Sequence, residues 1–137
     1  MKNVLSFLAL VAVGSAVAHE ELKIEIIRAG ECSSKTKHGD FISVNYNGTL
    51  TDGTLFDSTY SKAGTTTPFA FEIGGGKVIR GFELGHLDMC IGDRRKLTIP
   101  PSYGYGNRVV GPIPANSTLI FYTELVAIGG GAAPSKK

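Results

Sequence analysis

Apolar and polar residues alternate in several short runs along this chain, and each run predicts a strand. Leu22-Lys23-Ile24-Glu25-Ile26-Ile27 comes first, with the period of a half-buried strand. Phe41 to Leu50 repeats the pattern, with Phe41, Ser43, Asn45 and Asn47 on one side and Ile42, Val44 and Tyr46 on the other. Asn47-Gly48 has the composition of a hairpin turn, but strand character continues on both sides, so Gly48 is also a candidate bulge. Thr51-Asp52-Gly53-Thr54 is the clearer turn and leads into Leu55-Phe56-Asp57-Ser58. After a small, polar loop over 59–67, Phe69-Ala70-Phe71-Glu72-Ile73 alternates again, and Arg95 to Pro100 and Leu119 to Ile128 complete the strands.

The period changes once. Apolar residues at Val78, Ile79, Phe82, Leu84 and Leu87 predict a helix starting near Lys77, although Gly81 and Gly85 lower its propensity, so tertiary packing must hold it. Pro101 to Asn116 reads as a long ordered loop, and the Gly/Ala/Pro/Ser/Lys tail over 129–137 as disordered. The expected fold is α+β: a curved antiparallel sheet of five or six strands wrapped around one short helix.

The front of the chain belongs to a different class. Met1-Lys2-Asn3, an apolar run from Val4 to Val13, and Ala16-Val17-Ala18 before His19 make a secretory signal peptide over 1–18, leaving a single domain over 19–128. The mature part keeps 13 basic against 12 acidic side chains, which gives no electrostatic footprint for nucleic acid or an anionic membrane. Arg94-Arg95-Lys96 is the only basic run and reads as a solvated face.

Two cysteines, Cys32 and Cys90, in a chain bound for an oxidising compartment favour one disulfide, worth on the order of 3–4 kcal/mol by chain entropy. His19, His38 and His86 have no Cys or carboxylate at ligand spacing, so no metal site is expected. Gly74-Gly75-Gly76 lacks the Gly-Lys-Ser/Thr of a phosphate loop. Asn47-Gly48-Thr49 and Asn116-Ser117-Thr118 are glycosylation sequons; Asn47 lies in a strand, and Asn116 in a loop is the better acceptor.

Several fragments occur in a fixed order: Tyr46-Asn47-Gly48, Asp52-Gly53-Thr54-Leu55-Phe56-Asp57-Ser58, Val78-Ile79-Arg80-Gly81, Lys96-Leu97-Thr98-Ile99-Pro100, Tyr103-Gly104-Tyr105-Gly106, Ile113-Pro114 and Thr118-Leu119-Ile120-Phe121. On these, the chain from about Leu22 to Ile128 resembles the FKBP immunophilins, peptidyl-prolyl cis-trans isomerases that bind tacrolimus and rapamycin. Cys32, Cys90 and the signal peptide resemble the family's secreted, endoplasmic-reticulum branch. The resemblance implies a pocket lined by Tyr46, Phe56, Asp57, Phe69, Val78, Ile79, Tyr105, Ile113 and Phe121. With Phe82 added as the floor, it implies that Tyr46, Phe56, Asp57, Tyr105 and Phe121 carry the catalytic role and that Phe69, Val78, Ile79, Phe82 and Ile113 bind substrate.

Phe82 falls on the pocket floor, where the family usually has tryptophan, which implies weaker macrolide and substrate binding on a floor that is still apolar. The loop 59–67 is longer than in short family members and lacks their arginine near the pocket aspartate, leaving Lys62 as a substitute. Phe71 and Leu97 are assigned to the core.

The implied partners are proline-containing polypeptides, with tacrolimus and rapamycin as inhibitors, bound by a monomer without a cofactor. The chain would work in the endoplasmic reticulum or outside the cell, since Ala133-Pro134-Ser135-Lys136-Lys137 is not a K-D-E-L type signal. Two other readings use the same fold: a proline-peptide binding module with little turnover, and a secreted scaffold with neither activity nor macrolide binding.

Overall fold

A computed structural model describes residues 21–129. The signal peptide over 1–18 lies outside the described residues, as does the expected tail apart from Gly129, whose N–H donates to the Phe41 carbonyl at 2.7 Å. Six strands and one helix follow in the order β1 (Lys23–Arg28), β2 (Phe41–Leu50), β3 (Leu55–Ser58), β4 (Phe69–Glu72), α1 (Arg80–Leu84), β5 (Arg94–Ile99) and β6 (Leu119–Ile128).

All pairings are antiparallel, in the order β1-β5-β6-β2-β3. The remaining strand, β4, also pairs with β2. The long β2 therefore gives one edge to β6 and shares the other, its Phe41–Val44 half facing β4 and its Asn47–Thr49 half facing β3. The loop 59–67 leaves the sheet between those halves and closes on itself through a Tyr60–Thr66 bridge.

Alternation sorts the faces as expected from a pleated sheet. Val44, Leu97, Ile99, Leu119, Phe121 and Leu125 are buried in one cluster with Phe82 of the helix. The helix lies so close to the sheet that a Cβ at Gly81 would stand 2.5 Å from Ile99 Cγ2, and one at Gly85 2.6 Å from Leu97 Cδ1. The glycines that lower helical propensity are thus what allow the close packing. At Gly48 the β2–β3 register shifts, so the bulge is real, and a Cβ there would lie 2.8 Å from Phe121 Cε1 and 2.9 Å from Phe56 Cζ.

Three expectations need correction. The helix begins at Arg80 rather than near Lys77: Ile79 is its N-cap with an extended backbone (φ −62°, ψ 152°), and Gly76 at φ 78° breaks the chain just before. Strand β1 is exposed along its whole length instead of half-buried, because the five-residue helix packs over β5 and stops short of the sheet edge. Arg95 is not on a solvated face. It is 6% exposed, points inward like Leu97 and Ile99, and donates to the carbonyls of Gly85, Leu87 and Asp88 at 2.8, 2.8 and 3.0 Å.

Candidate active site

The N-terminal side of α1 and the β2–β3 end of the sheet enclose a concavity of about 230 Å³. Its lining is Tyr46, Phe56, Asp57, Phe69, Lys77, Val78, Ile79, Phe82, Tyr105 and Phe121. Nine of the ten residues assigned to catalysis or substrate binding meet here, brought from strands, helix and the long loop. The tenth, Ile113, is absent from the lining: it is buried in the core and bridges back to Val110, bracing the loop that carries Tyr105.

The aromatic rings meet edge to face. Tyr46 stands 5.2 Å from Phe82 and 5.6 Å from Phe121, Phe82 stands 5.0 Å from Phe121, and Phe56 meets Phe121 at 5.6 Å and 90°. This is the arrangement the ring quadrupoles favour, and it fixes a rigid apolar wall. Two polar features interrupt it. The Tyr46 hydroxyl donates to Asp57 Oδ2 at 2.5 Å, while Asp57 Oδ1 accepts the Ser58 N–H at 2.9 Å. Burial first, then the bond to Asp57 and its charge, pushes the Tyr46 hydroxyl well above a tyrosine's ordinary pKa, so it is a donor at any physiological pH. The other is the N–H of Ile79, which has no partner among the described residues because the helix starts one residue later.

Beneath the floor lies His86, fully buried with its ring centroid 4.5 Å from that of Phe82. Its Nδ1 is 2.6 Å from the Phe82 carbonyl, which can only accept, so the proton sits on Nδ1. Nε2, 2.8 Å from Thr123 Oγ1, then accepts from that hydroxyl. Burial lowers its pKa to about 4, with the nearby Arg95 charge pushing the same way against the Phe82 bond. The histidine is neutral at physiological pH and braces the phenylalanine of the pocket floor.

Lys77, considered in the sequence only as the start of the helix, also lines the cleft, whereas Lys62 is not on the lining. The available signal was its place directly before Val78 and Ile79. Asn116 is exposed at φ 60° in the turn before β6. The Asn47 carboxamide instead accepts from Ser58 Oγ at 2.5 Å. Cys32 and Cys90 form the expected disulfide.

Comparison with known proteins agrees with this geometry. The FKBP-type peptidyl-prolyl cis-trans isomerase family matches residues 32–126. The chain is 49% identical to FK506-binding protein 2 of Gibberella zeae, over 99% of this chain and 69% of that one. Identity to FK506-binding protein 2 of Aspergillus oryzae is 51%, over 88% of this chain and 89% of the relative. Among solved structures, FkpA from Escherichia coli superposes with a TM-score of 0.69 at 38% identity, covering 79% of this chain, which spans about half (48%) of FkpA. The six-stranded sheet on one short helix, the aromatic cleft and these matches together establish that the chain belongs to the FKBP-type peptidyl-prolyl cis-trans isomerases, which exchange the cis and trans forms of X–Pro bonds.

Proposed function

We propose that this isomerase acts, as a monomer, on proline-containing polypeptides of the secretory pathway, in the endoplasmic reticulum or after export, and that its reaction takes place in the aromatic cleft. Rotating an X–Pro bond meets a barrier of about 18–20 kcal/mol, because amide resonance is lost at the twisted state. No heavy-atom bond is made or broken, so shape and dryness are enough. A less polar setting disfavours the charge-separated planar amide, and a thousandfold gain needs about 4 kcal/mol of preference for the twisted form.

Phe82, Val78, Phe69, Phe121 and Tyr46 hold the proline ring, and Phe56 backs Phe121. Tyr105 donates a hydrogen bond to the substrate, and the Ile79 N–H binds a substrate carbonyl. Asp57 orders the pocket through Tyr46. The observation that carries this reading is the unpartnered Ile79 N–H beside a wall of edge-to-face rings. The same wall accepts tacrolimus and rapamycin. In a secretory compartment Asn116 would carry a glycan, removable by endoglycosidase.

The test is a protease-coupled assay on a Leu-Pro peptide, with and without rapamycin. Acceleration abolished by rapamycin is expected, and a Phe56, Asp57 and Tyr105 triple variant as fast as the unmodified protein would sink the residue assignment. Tight peptide binding without acceleration would favour the binding-module reading.

A further inference from the structure

The triglycine turn before α1 is unused by the isomerase reading, yet it is held firmly. Glu83 Oε2, one residue past the floor phenylalanine, accepts the N–H groups of both Gly74 and Gly76 at 3.0 Å. Gly74 and Gly76 both take positive φ, and a Cβ on Gly74 would stand 2.1 Å from His38 Cε1, so the turn has little freedom to rearrange. The residue displayed by that pinned turn is Lys77, exposed and on the lining of the cleft.

The charges around the opening do not cancel it. Asp57, the one carboxylate on the lining, is already engaged by the Tyr46 hydroxyl and the Ser58 N–H. The Glu83 carboxylate is occupied by the turn amides. Among the described residues the ion pairs are Lys37–Asp40 and Arg94–Glu124, so Lys77 has no anionic partner within 4 Å. The Arg108 guanidinium stands 5.9 Å from the centroid of Tyr105, which places a second cation against a lining residue.

We propose that Lys77 gives the cleft a preference for substrates with an acidic residue next to the proline. The inference rests on the cleft being the site of isomerisation. The apolar wall takes the proline ring whatever its neighbours are, and Lys77, helped by Arg108, then discriminates among neighbouring side chains by charge.

The test measures cis–trans exchange by NMR in two peptide series carrying Glu, Leu or Lys immediately before, or immediately after, a single proline. In one of the two series kcat/KM for Glu should exceed that for Lys by about two- to fivefold at low salt, the size expected of one exposed charge pair. The ratio should approach one in about 0.5 M NaCl, where the screening length shrinks to a few ångströms. It should reverse in Lys77→Glu and fall toward one in Lys77→Met, a pattern that a purely structural lysine cannot produce. Accelerated exchange of the Leu peptides with equal rates for Glu and Lys in both series overturns the charge preference alone. No acceleration of any peptide overturns the cleft assignment with it.

Discussion

At the C-terminal end of α1 the carbonyls of Gly85, Leu87 and Asp88 all accept from Arg95, whereas at its N-terminal end the N–H of Ile79 is left open to the cleft. The closed end is polar and tied at several points. Thr36 donates to the His86 carbonyl at 2.5 Å and accepts from the Met89 N–H at 2.8 Å, His86 bridges Phe82 to Thr123, and the Cys32–Cys90 disulfide adjoins. The open end is nearly all aromatic. A helix of five residues cannot hold itself, since its own hydrogen bonds do not offset the ordering of its backbone. Anchoring one end through side chains from the sheet lets the other end stay unfilled without collapsing. Stability should therefore reside mainly at the closed end and catalytic rate at the open one.

Arg95→Met is the largest expected break in that contrast. It strands the buried carbonyl of Gly85 and the part-buried carbonyls of Leu87 and Asp88, and leaving the three acceptors unpaired costs together on the order of 3–5 kcal/mol. Urea denaturation should register the loss, and kcat/KM should fall as well, because Phe82 shifts with the helix. Arg95→Lys keeps the charge but not the fork and should recover less than half. A cost below about 1 kcal/mol for Arg95→Met would mean that apolar packing alone closes this end.

The double variant Cys32→Ser, Cys90→Ser should lose about 3–4 kcal/mol through the freedom returned to the unfolded chain. Its isomerase rate, measured well below the melting temperature, should stay unchanged, because neither cysteine is on the cleft lining. A slowed rate in the folded double variant would show that the closed end transmits to the open one.

His86 offers a pH-dependent version of the same comparison. Its folded pKa of about 4 lies below the ordinary 6.5, so the unfolded chain binds the proton more tightly. Nothing is lost above pH 6.5; stability then declines as pH falls toward 4, by about 3 kcal/mol in total. Urea midpoints across pH 4–7 should reveal that slope, and His86→Leu should flatten it. An unchanged slope in the variant would assign the acid sensitivity to other groups.

The open end was far more legible in the sequence than the closed one. Aromatic residues and short motifs in a fixed order mark a pocket even in one dimension, and nine of ten assigned side chains share the cleft. Arg95 was hidden inside Arg94-Arg95-Lys96, which reads as surface charge. Yet strict alternation through Leu97 and Ile99 puts Arg95 on the inward face, and that signal was available. His86, four residues after Phe82, was legible as a neighbour on a helix but not as a buried one, because its partner Thr123 lies on a distant strand. The exposure of β1 depends on how far a short helix reaches, a tertiary fact its alternation does not encode.

Tyr46→Phe should show the smallest stability change and the sharpest contrast with Arg95. The hydroxyl bonds a carboxylate at the exposed mouth of the cleft, so its removal should cost only about 1 kcal/mol of stability. Loss of Asp57's anchor should still reduce kcat/KM about fivefold, the equivalent of about 1 kcal/mol in the barrier. The stability difference also has a defined pH dependence. The folded pKa of Tyr46 is raised above the ordinary 10.0 by burial and by Asp57. Its contribution is therefore complete below pH 10 and fades above it, as the unfolded tyrosine ionises while the folded one does not. Urea midpoints of the two proteins should differ at pH 8 and converge by about pH 11. Equal midpoints at both pH values, with the rate still reduced, would place the Tyr46–Asp57 bond wholly in the service of substrate binding.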